Sequence, residues 1–254
     1  MRITFLGTGT SGGVPIINCD CAVCRSANPK NKRLRSSVMI EINDKFLLID
    51  TTPDMRQQFL RKRFPRIDAI LYTHAHADHV FGLDEVRRFN YLTKKRIPAY
   101  GNAQTMERLT TVFNYAFQPP EIEIVKGIPN LSPHVIEGPT VIEGIEVIPI
   151  PLVHNELTIF GYRIGNFAYC TDVNHIPAAS YNLLNNLDVL VLDALREKRH
   201  PSHFSLGEAI TEARKIGARQ TYFTHISHIL DHDRHGQMLP KNMAFAYDEL
   251  ELEI

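Results

Sequence analysis

The stretch AILYTHAHADHV, residues 69–80, decides how this sequence folds and what it can bind. It joins an apolar strand signal, AILYT, to the hexapeptide His74-Ala75-His76-Ala77-Asp78-His79. In an extended segment His74 and His76 point the same way, whereas Asp78 and His79 begin the next turn. Imidazole nitrogens and carboxylate oxygens this close together suit divalent ions such as zinc or manganese. The pattern therefore predicts a metal site, with two ions more natural than one; a histidine-rich surface loop is the alternative.

Two ions need more ligands than this hexapeptide supplies, and single polar residues follow other predicted strands. His154 follows VIPIPLV, Asp172 follows FAYCT, and His225 follows TYFT. None of the three would indicate a ligand by itself, but together they complete a set. We expect Asp172 to bridge the two ions, with His154 completing one site and His225 the other.

A second constellation lies near the start of the chain, where Cys19, Cys21 and Cys24 fall within six residues. Three thiolates can take three corners of a closed tetrahedral zinc site, which is a structural arrangement. We predict His228 as the fourth ligand, because a turn after His225 would let one segment feed both sites. Three reduced cysteines without metal are the alternative. Cys170 stands apart inside a strand and is expected to be a core residue.

The composition limits the class of protein. The 254 residues carry 28 Lys+Arg and 28 Asp+Glu, with 44% hydrophobic residues. These values are typical of a folded chain, and the neutral balance disfavours stable nucleic-acid binding, which usually needs a basic surface. No apolar run approaches the roughly 18 residues of a membrane span, and the first residues do not resemble a signal peptide. We therefore expect a cytoplasmic protein without a membrane association, and one domain over residues 1–254 because no linker divides it.

The hydrophobic pattern alternates strands with helices in two halves. It predicts a hairpin around Asn43-Asp44, and a helix capped by Thr52 with Pro53 at its first position. Two sheets packed face to face, with helices on their outer sides, follow from this order. The predicted strands are 2–7, 37–42, 45–50, 69–73, 97–101, 122–125, 141–150, 158–164, 167–171, 188–193, 220–224 and a final pair near 243–247 and 249–254; the predicted helices are 54–64, 83–92, 103–117, one near 178–186, and 205–215.

The HAHADH motif, followed by a single His, Asp and His after later strands, resembles the metallo-β-lactamase superfamily. This resemblance implies the α/β fold of that superfamily, a four-layer αβ/βα sandwich, with a two-metal hydrolytic centre. The motif does not specify the substrate, because the superfamily includes lactamases, thioesterases, lactonases, nucleases and phosphodiesterases.

The combination of HAHADH with the CxCxxC loop and THISH is similar to a narrower branch, the PhnP-type phosphoribosyl 1,2-cyclic phosphate phosphodiesterases. This resemblance implies attack of a metal-bound hydroxide on phosphorus, a small phosphorylated sugar or nucleotide as substrate, and a homodimer. It makes Asp78 and His203 the catalytic residues, with His203 as general acid and His200 as the competing candidate. The implied ligands are His74, His76, Asp78, His79, His154, Asp172 and His225 for two catalytic zinc or manganese ions, and Cys19, Cys21, Cys24 and His228 for one structural zinc.

Three other functions remain open at this stage. A tRNA 3′-end endonuclease shares the catalytic ligands, but no long Gly/Pro-rich insertion is present to form a tRNA-gripping arm. Thioester or lactone hydrolysis does not explain the cysteine loop. A non-hydrolytic zinc protein, like the one in pyrroloquinoline quinone biosynthesis, shares that loop but has a degraded catalytic motif.

Two further features have paired interpretations. Asp50 either accepts a hydrogen bond from a ligand imidazole or caps the following turn. The glycine-rich loop 7–13 either presents N–H groups to a phosphate or makes a tight turn that lets Cys19 reach its zinc.

Overall fold

The computed structural model describes residues 1–119 and 127–254. Its strands and helices are distributed over the whole of these two ranges. The strands are β1 (Arg2–Gly7), β2 (Ser37–Ile42), β3 (Lys45–Ile49), β4 (Ala69–Leu71), β5 (Ile97–Gly101), β6 (Leu131–Val135), β7 (Thr140–Ile142), β8 (Ile145–His154), β9 (Leu157–Ile164), β10 (Phe167–Cys170), β11 (Val189–Asp193), β12 (Gln220–Thr224), β13 (Met243–Phe245) and β14 (Glu251–Glu253). The α-helices are α1 (Ala22–Arg25), α2 (Met55–Arg61), α3 (Ala77–Val80), α4 (Arg87–Thr93), α5 (Ala103–Val112), α6 (Leu206–Ile216) and α7 (His232–Gly236).

The strands form two seven-stranded sheets, with the orders β14-β1-β2-β3-β4-β5-β6 and β13-β12-β11-β10-β9-β8-β7. Strands β3 to β6 pair in parallel, as do β10 to β13. The last strand returns to the first sheet, where it pairs antiparallel with β1. Because the carboxyl ends of parallel strands meet at one edge, each sheet offers such an edge to a site.

The two sheets pack against each other, and helices cover their outer faces. In β3, Leu47 and Ile49 belong to the core between the sheets, whereas Leu48 joins the core under the helices. In β11, Val191 belongs to the core between the sheets, whereas Leu192 belongs to the core under the helices of the second sheet. Side chains alternate along a strand, so a strand that is buried on both faces is apolar throughout. The predicted four-layer αβ/βα sandwich is confirmed.

Several predicted boundaries were wrong. The helix predicted over 54–64 with Thr52 as its cap spans Met55–Arg61, and Asp54 stands at the N-cap position. The Thr52 hydroxyl accepts from Asp54 N and donates to Gln58 Oε1. Pro65 disfavours helical backbone at the residue before it. The strand predicted over 141–150 is two strands, β7 and β8, joined by a turn at Glu143 and Gly144, both with positive φ. Strand β6 was not predicted, and the strand predicted over 122–125 lies outside the described residues.

The helical predictions were right in position and partly wrong in type. Residues Leu83–Val86 form a 3₁₀ turn before α4, Asn114–Ala116 form another after α5, and Ala178–Leu184 are 3₁₀ rather than α-helical. Helix α6 begins with the capping box of Ser205 and Glu208 and ends at Gly217 in the left-handed conformation. The predicted hairpin turn at Asn43-Asp44 is confirmed, since both residues have positive φ.

Candidate metal-dependent active site

The predicted metal ligands lie where strands of both sheets end. His74 follows β4, His154 closes β8, Asp172 follows β10 and His225 follows β12. Two of them have left-handed backbone, Asp172 with φ 55° and His225 with φ 58°. Such φ values are uncommon outside glycine and store on the order of 1–3 kcal/mol of strain each. The fold therefore uses strained strand ends to direct these side chains into one cleft.

The first cluster consists of three histidines. His74, His76 and His154 place one ring nitrogen each within 4.8 Å of one another. Their ring centroids are 4.5 to 5.3 Å apart. His74 and His154 are buried, whereas His76 is exposed to the cleft.

The second cluster consists of Asp78, His79, Asp172 and His225. Nε2 of His79 lies 3.3 Å from Asp78 Oδ2 and 3.2 Å from Asp172 Oδ1. Nε2 of His225 lies 3.3 Å from Asp172 Oδ2 and 3.7 Å from Asp78 Oδ2. The structure thus brings together all seven residues predicted to bind catalytic ions.

Hydrogen bonds hold two of these imidazoles, His79 and His154, in place through their Nδ1 atoms. Nδ1 of His79 lies 2.7 Å from Asp50 Oδ2, which also accepts a hydrogen bond from Thr73 Oγ1 at 2.8 Å. Nδ1 of His154 donates to the Ser202 carbonyl at 2.8 Å. Asp50 therefore orients His79, which agrees with the interpretation that Asp50 accepts a hydrogen bond from a ligand imidazole. Such bonds fix the tautomer that leaves Nε2 free for an ion.

The electrostatics of His74, His154 and Asp172 favour the protonation states that bind metal, whereas at His79 the neighbouring carboxylates of Asp172, Asp78 and Asp50 outweigh burial and raise the pKa well above its ordinary value. Burial lowers the pKa of His74 well below its ordinary value, and that of His154 to about 4. Burial works against ionisation of Asp172, but the nearby His225 and His79 hold the pKa of Asp172 well below its usual range. Neutral imidazoles and ionised carboxylates are the forms that bind divalent cations.

The residues fit divalent ions by an independent criterion. The buried Nε2 atoms of His74, His79 and His225 have no hydrogen-bond partner among the described residues, because the short contacts to carboxylates lack hydrogen-bond geometry. Buried polar atoms almost always have partners, and three convergent nitrogens beside two carboxylates form a donor set typical of zinc or manganese.

His203 lies beside the two clusters and is held by Asp193. His203 was a predicted site residue, whereas Asp193 was not. Nδ1 of His203 bonds Asp193 Oδ2 at 2.9 Å, and its ring centroid is 4.7 Å from those of His154 and His225. Asp193 is fully buried and is the last residue of β11. Asp50 is likewise a buried aspartate directly after an apolar strand, β3. His200 is further out, with its ring centroid 5.2 Å from that of His203.

A third cluster joins the start of the chain to its end. Nδ1 of His228 lies 3.2 Å from Cys19 Sγ, 3.5 Å from Cys21 Sγ and 3.7 Å from Cys24 Sγ. A hydrogen bond from the backbone N–H of Cys24 lowers the pKa of Cys21 to about 6, which favours a thiolate. Three sulfurs around one imidazole fit a closed, structural zinc site. Cys170 is fully buried among apolar residues, as predicted.

The glycine-rich loop packs against neighbouring backbone. A Cβ on Gly7 would lie 2.0 Å from the Arg35 carbonyl, so only glycine fits there. Gly9 N donates to the Leu34 carbonyl and Thr10 N to the Ile226 carbonyl. These N–H groups are used inside the protein, which favours the tight-turn interpretation over the phosphate cradle.

Comparison with known proteins assigns this site to a family. The model of the β-lactamase superfamily domain matches residues 45–226, which hold both halves of the cleft. The chain belongs to the β-lactamase superfamily. A crystal structure of a diphosphatase from the PhnP family is 46% identical, with a TM-score of 0.92, and covers 100% of this chain and 97% of that one. The chain therefore belongs to the PhnP family of superfamily hydrolases.

Other relatives have lower sequence identity to this chain. An octanoyltransferase of Porphyromonas gingivalis is 35% identical over 99% of this chain but only 51% of its own length. The chain spans about half the length of the curated relatives it matches first. The zinc-bound PqqB structure from Methylobacterium extorquens, 19% identical with a TM-score of 0.79, covers both chains completely and shows the same superfamily fold. No helix in the described part of the chain has the length and apolar character of a membrane span.

Proposed function

We propose that this superfamily hydrolase is a two-metal phosphodiesterase that cleaves a small cyclic phosphodiester, phosphoribosyl 1,2-cyclic phosphate or a related nucleotide. The observation that carries the proposal is the joint position of the two ligand clusters and the His203–Asp193 pair at one cleft. Two clusters alone would serve many hydrolytic reactions. A buried histidine with one ring nitrogen fixed by a carboxylate adds a proton donor for a poor leaving group.

In this proposal each of the two clusters binds one divalent ion. His74, His76 and His154 would hold one ion and the second cluster would hold the other. Asp172 would serve both ions, since its carboxylate also comes within 4.8 Å of His154. When bound, such ions make water nucleophilic at neutral pH and neutralise charge on a phosphoryl oxygen. Cys19, Cys21, Cys24 and His228 hold a zinc that keeps the loop carrying His225 in place.

His203 supplies the remaining chemistry. As hydroxide adds to phosphorus, the bond from phosphorus to the sugar oxygen breaks, and that oxygen takes a proton from the ring nitrogen of His203 that Asp193 does not contact. Asp193 accepts a hydrogen bond from Nδ1 at 2.9 Å, so it fixes the ring while leaving the other nitrogen free for the substrate. The form that donates from that nitrogen is the imidazolium, which is protonated on both nitrogens. Asp50 has the corresponding positioning role for His79.

The test is phosphorus NMR of the zinc- or manganese-loaded protein with 5-phosphoribosyl 1,2-cyclic phosphate. We expect the cyclic phosphate resonance to be replaced by that of a monoester, and Asp78→Asn to abolish the change because it removes a ligand of the second cluster. A fully metal-loaded protein that opens neither this ring nor a simple aryl phosphodiester would refute the proposal. Thioester and lactone hydrolysis, or a non-hydrolytic zinc protein, would then be the remaining functions.

Cleavage of a diphosphate is a second candidate, favoured by the 46% identical structure described as a diphosphatase. The same clusters and His203 would serve a phosphoanhydride, whose leaving phosphate needs less help from a proton donor. Phosphorus NMR with a nucleoside diphosphate sugar distinguishes the two, because only this activity converts the paired diphosphate resonances into two monoesters. The likeness to human tRNase Z, at 19% identity, concerns the fold alone.

A further inference from the structure

Two adjoining cavities open beside His76, and His203 lines neither of them. One of about 230 Å³ and one of about 300 Å³ share Ala75, His76 and Arg108 in their walls, and together we call them the distal groove. His76 belongs to the first ligand cluster, so the distal groove continues directly from the candidate metal site. It is therefore placed to hold part of a substrate.

The ring of His154 neighbours both His76 and His203, and this arrangement indicates how a substrate is oriented. The ring of His154 is 5.0 Å from that of His76 and 4.7 Å from that of His203. The leaving oxygen must lie beside His203, if that residue is the proton donor. The rest of the substrate then extends past His76 and into the distal groove.

The chemistry of the groove indicates what this substituent is. Its larger cavity is walled by apolar side chains, including Phe81, which is 56% exposed and contacts Phe113 edge-to-face at 5.8 Å between centroids. Arg108 on α5 lies at the junction of the two cavities and forms no ion pair with a described carboxylate. No acidic side chain lines either cavity. An aromatic wall beside a guanidinium that pairs with no carboxylate of the described residues matches a base and a phosphate.

We propose that the distal groove binds the nucleoside phosphate part of the substrate, with its base against Phe81 and a non-reacting phosphate paired with Arg108. This inference rests on the proposed phosphodiesterase function and narrows its substrate class to nucleotides that carry a second phosphate. Arg108 and Phe81 are specificity-determining residues, because both act outside the bond that breaks.

The test uses two chromogenic esters that differ by one phosphate: thymidine 5′-(p-nitrophenyl phosphate) and its 3′-phosphorylated form. The wild type should prefer the 3′-phosphorylated ester, and Arg108→Ala should reduce this preference in kcat/KM by about tenfold, the loss of one charge-assisted pair. Arg108→Lys should restore part of it. Arg214→Ala, which removes an exposed arginine from α6, is the matched control and should keep the wild-type preference.

The role of Phe81 in binding the base is tested by a separate measurement. Phe81→Ala should raise KM for the thymidine esters relative to methyl p-nitrophenyl phosphate, which has no base. An unchanged preference in Arg108→Ala, or one that Arg214→Ala reduces equally, would overturn the inference.

Failure of the proposed function gives a different pattern, since the wild type would then cleave none of the three esters. The groove remains testable in that case by calorimetric titration of the metal-loaded protein with thymidine 3′,5′-bisphosphate. Binding that Arg108→Ala weakens about tenfold supports the groove, and equal binding or none refutes it.

Discussion

Replacing His203 should reduce activity by an amount that depends on the leaving group. One ring nitrogen of His203 is occupied by Asp193 at 2.9 Å, so proton donation depends on the other nitrogen alone. General acid catalysis by a positioned side chain is worth about 10²- to 10⁴-fold, or about 3–5 kcal/mol of barrier. We expect His203→Asn to lower kcat on a cyclic sugar phosphate by this factor, because an amide can still bond Asp193 but supplies no proton.

The same variant should lose less than about tenfold on thymidine 5′-(p-nitrophenyl phosphate), whose leaving anion needs no proton. The assay compares both substrates under metal saturation, with thermal unfolding of each variant as a check of folding. His200→Ala is the matched control, since its ring is also near the cleft, 5.2 Å from that of His203. Equal losses of His203→Asn on both substrates would refute the assignment, and so would a leaving-group-dependent loss confined to His200→Ala.

Three further predictions concern stability, measured by urea unfolding. Gly82→Ala should cost about 1–3 kcal/mol because its Cβ would lie 1.9 Å from the Thr52 carbonyl, whereas Gly207→Ala on α6 meets no atom within 4 Å and should not destabilise. Arg33→Met should cost about 3–5 kcal/mol, since this buried guanidinium donates to three oxygens, and a loss below 1 kcal/mol would contradict that. Burial raises the pKa of Asp248 to about 7, so the folded state holds its proton more tightly than the unfolded state does. The wild type should therefore lose up to about 4 kcal/mol relative to Asp248→Asn as the pH rises from 4 to 8, and a constant difference would be the contrary result.

The main features of the site could be predicted because its ligands follow a simple rule. Polar residues that come directly after apolar strands, such as Asp172 and His225, meet at one edge of the sheets. The same rule could have found Asp193, which closes DVLVLD as Asp50 closes FLLID. It was missed because a single aspartate at a strand end has many structural uses, and its partner His203 is in a loop.

Other features depend on contacts that sequence patterns do not encode. The turn at Glu143 and Gly144 divides one apolar run into two strands, although a continuous strand has the same hydrophobic pattern. Ala178–Leu184 are 3₁₀ rather than α-helical, with Leu184 packed into the core. Arg108 gives no signal in the sequence, because an exposed arginine on a helix is ordinary until the cavities beside it are known.

The metal content of the purified chain, measured by mass spectrometry of the elements, tests the central claim most directly. We predict about three ions per chain when the protein is supplied with zinc or manganese: two at the first and second clusters, with Asp172 serving both, and one zinc at the cysteine cluster. Asp172→Ala should retain about one ion, and Cys21→Ser about two. A wild-type chain that holds only about one zinc, which Cys21→Ser removes and Asp172→Ala does not, would contradict the account.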